Sequence, residues 1–86
     1  MTYAVFISAP ALKALAHLPD DVKRRVRAAV SALAGNPRPD GSAKLRGRFK
    51  EGWRIRVGDY RVLYTIDDEA RNLTIFRIAP RDAAYQ

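Results

Sequence analysis

The stretch that decides the fold is WRIRVGDYRVLY, residues 53–64. Trp53, Ile55 and Val57 alternate with Arg54 and Arg56. That is the period of a strand with one apolar face and one charged face. Gly58-Asp59 follows as a two-residue hairpin turn, with glycine where a positive φ is tolerated. Residues 60–66 are the returning strand. The hairpin thus carries three arginines in nine residues, beside side chains that belong in a core.

Toward the C-terminus, residues 67–72 turn the chain, 73–79 form a last strand, and RDAAYQ is a short tail. Toward the N-terminus, KLRGRFK at 44–50 is basic and without a clear period, and NPRPDGSA at 36–43 is a loop by composition. Before it, Val22, Val26, Ala29, Val30 and Leu33 form a helical apolar stripe. Asp20 is a good N-cap for that helix, and Gly35-Asn36-Pro37 stops it. Lys23, Arg24, Arg25 and Arg27 lie mostly off the stripe, as a solvated face that could touch a larger polyanion. A shorter helix precedes it: Ser8 caps it, Pro10 suits its first turn, and Leu12, Leu15 and Leu18 recur at helical spacing until Pro19. YAVFIS at 3–8 is a β-branched and aromatic strand.

The order is therefore β-α-α-β-β-β in one small α+β domain spanning residues 1–86. An antiparallel sheet with a two-helix hairpin packed on one face satisfies it. The other face is left partly open, with Arg54 and Arg56 on it.

Composition narrows the function. The chain of 86 residues is 48% apolar, which suits a folded domain, and has no cysteine, which excludes disulfides, thiol catalysis and zinc–thiolate sites. A chain of this size buries only roughly 60–65% of its unfolded surface, so a partner adds useful stability. No apolar run approaches the ~20 residues of a membrane span, and MTYAVFIS lacks the features of a signal peptide. A cytoplasmic protein is expected. Sixteen Lys and Arg against nine Asp and Glu leave a net charge of +7. The pI near 10.4 suits a polyanionic partner.

The familiar catalytic constellations are missing. His17 is the lone histidine and reads as a surface or packing residue. Asp67, Asp68 and Glu69 read as a solvated turn. The glycines sit at turns and caps, with no phosphate loop. Neither metal nor cofactor is expected. What remains is basic: residues 44–61 hold seven positive and two negative side chains. Arg54, Arg56, Arg61 and Arg81 can converge on one surface of the sheet. Lys44, Arg46, Arg48 and Lys50 flank it as RNA-binding candidates. Arginine suits phosphate because its planar fork binds two oxygens and stays charged. Tyr60, Tyr64 and Tyr85 add rings on which a base can stack. A plainer reading stands beside this one. Alternating arginines also make an ordinary solvated sheet face, Tyr60 and Tyr64 also suit sheet packing, and Arg77, on the face of Leu73 and Ile75, also suits pairing with a carboxylate.

The chain resembles the RelE/ParE superfamily of bacterial type II toxins. The matching pieces are KLRG at 44–47, WRIRVGDYRVLYTID at 53–67 and IFRIAPRDAAY at 75–85. RelE-like members are ribosome-dependent ribonucleases that cut messenger RNA in the ribosomal A site, and ParE-like members poison DNA gyrase. The RelE-like branch implies a metal-independent endoribonuclease. On this resemblance Arg54 and Arg56 match basic RNA-binding and catalytic positions. Arg61 matches the arginine that stabilises the transition state, Arg81 the one serving the leaving group or phosphate, and Tyr85 a C-terminal tyrosine that stacks on the base or activates the nucleophile. Where many relatives carry Gly-His, this chain has Ala79-Pro80, so a histidine acid–base role is impossible here. The resemblance further implies an acidic antitoxin as partner, along with the ribosome and its messenger RNA. Its alternatives are a gyrase inhibitor that cuts no RNA, and a degenerate toxin that only binds its antitoxin and represses their operon.

Overall fold

The computed structural model describes residues 2–49 and 51–83, with Arg48 described in its backbone alone. Five strands and two helices follow in the order β1 (Ala4–Ile7), α1 (Ala9–Ala16), α2 (Asp20–Leu33), β2 (Ala43–Lys44), β3 (Gly52–Val57), β4 (Tyr60–Asp67) and β5 (Asn72–Pro80). One turn of 3-10 helix, Gly47–Phe49, separates β2 from β3. The expected α+β architecture is present, with one strand added at the β2 edge and with a mixed sheet in place of the antiparallel one expected, because β1 pairs parallel to its neighbour. The sheet order is β1-β5-β4-β3-β2. It is antiparallel from β2 to β5, while β1 lies parallel to β5 with Val5 opposite Leu73 and Ile7 opposite Ile75. The basic segment after the loop supplies β2, a two-residue edge strand that pairs Ala43 with Arg54 and Lys44 with Trp53.

Both helices form for local reasons and are held by packing. The Ser8 hydroxyl accepts the Ala11 N–H at 3.3 Å, and Pro10 occupies the first turn of α1. The buried residues of α1 are Ala11 and Leu15, whereas Leu12, placed on the apolar stripe by spacing alone, is 54% exposed. The i, i+4 row from Ala11 to Leu15 faces the sheet, and Leu12 lies one position around from it. Pro19, not Asp20, takes the N-cap position of α2 and makes no side-chain cap bond. Asp20 and Asp21 instead sit in the first turn, where carboxylates complement the helix dipole.

The core lies between the helices and one sheet face. Ala11, Leu15, Val26, Val30 and Leu33 meet Ile55, Val57, Val62, Tyr64, Leu73, Ile75 and Ile78 there. Truncating a fully buried leucine such as Leu33 or Leu73 costs about 2–5 kcal/mol. A second, smaller apolar cluster sits on the opposite face. A Cβ at Gly52 would meet Leu45 Cδ1 at 2.8 Å and Phe76 Cε2 at 3.3 Å, so only glycine admits these side chains. The rings of Phe49 and Phe76 lie 5.8 Å apart, and Leu45 and Leu63 are buried. The basic segment therefore docks its apolar residues on the sheet and closes part of the open face.

Candidate nucleic-acid interface

The β3–β4 hairpin sets the site. Gly58 has φ 59 at the turn, and Arg25 Nη2 lies 2.7 Å from where a Cβ would stand. Strand pairing then places Arg56 directly opposite Arg61, and Arg54 opposite Leu63. Side chains so opposed sit about 4.5–5.5 Å apart at Cβ, a spacing at which like charges destabilise the pair. Arg61 is 7% exposed, the one buried charged residue among those described. Its Nη1 donates to the Tyr60 carbonyl at 3.1 Å. Among the described residues no carboxylate reaches ion-pair distance of Arg54, Arg56, Arg61 or Arg81, whereas Arg38 pairs with Asp68. β5 completes the surface, with Ala79 opposite Arg61 and Arg77 opposite Leu63. Arg81 follows Pro80, and its N–H donates to Asp59 O at 2.8 Å, which ties it to the mouth of the hairpin. It stands two residues beyond Ala79, in the turn that follows β5.

The candidates of the basic segment divide. Arg46 is exposed beside an open hollow of about 510 Å³ lined by Ala43, Lys44, Leu45, Arg46, Gly47, Phe49 and Arg54. Leu45 and Phe49 of the second apolar cluster line it, together with Arg46 and Arg54. Lys44 departs from the expectation: opposite Trp53 in register, it holds its ammonium 5.4 Å from the Trp53 ring centroid, on the side of the strand away from the arginines. The side chain of Arg48 and all of Lys50 and Tyr85 lie outside the described residues.

Arg54 has a second task. Its Nη1 donates to Gly41 O at 2.8 Å, holding the loop at 36–43. That loop is fastened from two other sides. The Tyr64 hydroxyl donates to Pro37 O at 2.7 Å. Arg38 grips Asp68 with Nη1–Oδ1 at 3.2 Å and Nη2–Oδ2 at 2.8 Å, and its guanidinium lies 5.1 Å from the Trp53 ring centroid. The Tyr3 hydroxyl also donates to Asp68 Oδ1, at 2.6 Å. These bonds from Arg38 and Tyr3 hold the Asp68 carboxyl down at about 2. Asp68, expected in a solvated turn, is thus a structural anchor. Tyr64 is fully buried, and burial pushes its hydroxyl up to about 12, so it packs rather than stacks on a base. His17 stays at the surface, its Nδ1–H on Lys13 O at 2.8 Å.

Arg77 is the site feature that alternation misplaced. A bulge after Leu63 leaves Phe76 extra, since Leu63 pairs with Arg77 while Tyr64 pairs with Ile75. Arg77 therefore leaves the face of Leu73 and Ile75 for that of Arg61. Two large residues in succession, Phe76-Arg77, were the available signal.

The family model for the ParE toxin of the type II toxin–antitoxin system, parDE, matches residues 5–85. The chain belongs to the RelE/ParE superfamily of type II toxins. Toxin RelE of Mycobacterium tuberculosis is 36% identical over 85 residues, covering 98% of this toxin and 87% of that one. Among solved structures, a chain of the toxin–antitoxin complex RelBE2 of Mycobacterium tuberculosis superposes with a TM-score of 0.84 at 29% identity, covering 94% of this toxin and all of that chain. A chain of the archaeal RelE–RelB complex from Pyrococcus horikoshii superposes at 0.83 with 34% identity, over 98% of this toxin and 100% of that chain.

Proposed function

We propose that this toxin is a ribosome-dependent messenger RNA endoribonuclease of the cytoplasm that works without a metal. The observation that carries the reading is the register pair Arg56–Arg61: two arginines face each other with no carboxylate on them among the described residues. A sheet accepts such a repulsive pair where an anion is to sit between the charges.

The 2′-hydroxyl of the substrate gives up its proton as its oxygen attacks the adjacent phosphorus. The P–O5′ bond breaks, a 2′,3′-cyclic phosphate remains, and the departing 5′-oxygen takes up a proton. Arg61 and Arg81 stabilise the negative charge of the phosphorane, and Arg54 and Arg56 orient the phosphates on either side. Burial of Arg61 strengthens its effect, because the surrounding dielectric is low. A guanidinium does not exchange its proton near neutral pH, so proton transfer falls to Tyr85 or to a group of the ribosome. A tyrosine of ordinary pKa is a poor base. Slow cleavage of naked RNA follows, with the ribosome needed to bend the substrate into line. Arg46 and the apolar side chains of its hollow take a neighbouring nucleotide.

An acidic antitoxin is the natural inhibitor. The relatives in complexes with RelB support this partner, and a groove of about 340 Å³ between α2 and the loop, lined by Ala29, Ala32, Pro39, Asp40, Gly41, Ile55 and Arg56, would receive an amphipathic segment with an acidic edge.

The test is cleavage of messenger RNA on programmed ribosomes by wild type and Arg61→Ala. Cuts in A-site codons that vanish in the variant are expected. A folded, antitoxin-free wild type that makes no cuts but blocks gyrase supercoiling at low concentration would overturn the ribonuclease reading. A wild type that does neither and arrests no growth would leave only antitoxin binding and operon repression.

A further inference from the structure

We propose that Arg77 is a positioning residue: it fixes the turn after β5 and, through that turn, the place of Arg81 on the arginine face. Its catalytic consequence rests on the ribonuclease reading above, while its effect on the turn does not.

Three observations carry the proposal. The bulge at Phe76 moves Arg77 onto the open side of the sheet, opposite Leu63 and beside the Arg61–Ala79 pair. Its guanidinium is turned to the tail. Arg77 is half-buried, its Nε is buried with no hydrogen-bond partner among the described residues, and its Nη2 donates to Ala83 O at 2.7 Å. A buried donor without a partner is unfavourable, so the side chain is held in this pose by what its other end does. That other end grips the tail. Ala83 N donates to Pro80 O at 3.0 Å, which closes a turn around Arg81 and Asp82. The Arg81 N–H on Asp59 O fixes the near end of this turn, and Arg77 on Ala83 O fixes its far end. Arg81, itself exposed, sits between the two fastenings. A charge-assisted bond to a carbonyl is stronger than a neutral one, which makes arginine an effective far anchor. The chemistry needs such an anchor, since an exposed guanidinium on an untethered tail is spread over many positions and a 1 Å misplacement costs up to about 10²-fold in rate.

The test uses the full-length toxin freed of antitoxin, as Arg77→Met, Arg77→Lys, Arg81→Ala and the double variant Arg77→Met/Arg81→Ala. Two readouts are taken: amide hydrogen exchange across the chain, and single-turnover cleavage on programmed ribosomes over a range of ribosome concentrations. In Arg77→Met, exchange at Arg81 and Ala83 should rise about tenfold or more, with β3 and β4 unchanged. The saturating rate should fall about 10–10²-fold, with the half-saturating ribosome concentration within about threefold of wild type. In the Arg81→Ala background the same change should cost nothing further, because Arg77 acts through Arg81. Arg77→Lys keeps a charged donor and should recover part of both losses; it also serves should the methionine variant fail to fold.

Unchanged exchange at Arg81 and Ala83 in both variants would overturn the proposal. So would rate losses that add in the double variant with a raised half-saturating concentration, which would make Arg77 a direct phosphate ligand. Exchange that rises throughout the sheet would mark a general packing role and overturn it as well. A wild type that cuts nothing would sink the ribonuclease reading alone, and the exchange data would still decide whether Arg77 sets the turn.

Discussion

Arg38 and Arg61 lie in one small domain and are treated in opposite ways. Arg38 is 41% exposed in its side chain, yet a bidentate carboxylate holds it and the Trp53 ring lies beside it. Arg61 is buried, yet faces Arg56 with no carboxylate on either among the described residues. A charge placed for stability finds a partner of opposite sign, as Arg38 does in bridging the 36–43 loop to the turn after β4. A charge buried without one is stabilising nothing by itself, and burial of an unpaired ion is costly. The difference assigns Arg38 to the fold and supports the proposal that the Arg56–Arg61 pair receives an anion.

The sharpest way to break this contrast is to exchange the two losses. Arg61→Ala should lower ribosome-dependent cleavage about 10²–10³-fold, equivalent to about 2.7–4 kcal/mol of transition-state stabilisation. Folding stability should stay within about 1 kcal/mol of wild type, because relief of the repulsion with Arg56 offsets the lost packing of the arginine stem. Arg38→Ala should do the reverse. It should cost about 1 kcal/mol in stability and leave the saturating cleavage rate within about threefold. Denaturant unfolding and single-turnover cleavage of both variants check the pair.

A second contrast lies in salt dependence. Single-stranded RNA binding releases counterions, so the slope of log K against log salt should fall by about 0.7 in Arg56→Ala. The slope should not change in Arg38→Ala. A titration series at several salt concentrations measures both.

Smaller effects come from the groups that fasten the loop. Tyr64→Phe should cost about 1 kcal/mol at neutral pH, since Pro37 O loses its donor. Tyr64 is raised from 10.0 to about 12 in the fold, so the unfolded chain gives up this proton first. Its contribution is complete below pH 10 and is lost as the pH rises through about 12. The phenylalanine variant should lack that alkaline loss in melting curves. The smallest change belongs to Asp68, lowered from 3.8 to about 2. Its contribution is complete above pH 3.8 and disappears as the pH falls through about 2, and Asp68→Asn should flatten the acid limb there. This carboxylate is more than half exposed, which keeps the effect small and sensitive to salt.

What the sequence by itself determined lies within a few residues of each signal. The alternation of Trp53, Ile55 and Val57 with Arg54 and Arg56 dictated which side of β3 is core. Gly58-Asp59 dictated the hairpin, and the hairpin dictated that Arg56 faces Arg61. Ser8 started α1 as expected, and the stripe from Val22 to Leu33 placed α2 on the sheet. These are periodicities and caps, whose physics is complete within one or two turns of chain.

Tertiary structure decided the rest. The parallel pairing of β1 with β5 joins residues as far apart in the chain as Val5 and Leu73. Lys44 turns from the arginines because β2 registers it opposite Trp53. Arg38 meets Asp68 across 30 residues, and Tyr3 meets it across 65, contacts that no local pattern announces. The bulge sets the Phe76 ring beside Phe49 over Gly52, and that one extra residue carries Arg77 to the other face of the sheet. Side-chain period is two residues in a strand, so one inserted residue reverses every assignment beyond it until the strand ends. Only the packing of distant residues selects where that reversal falls.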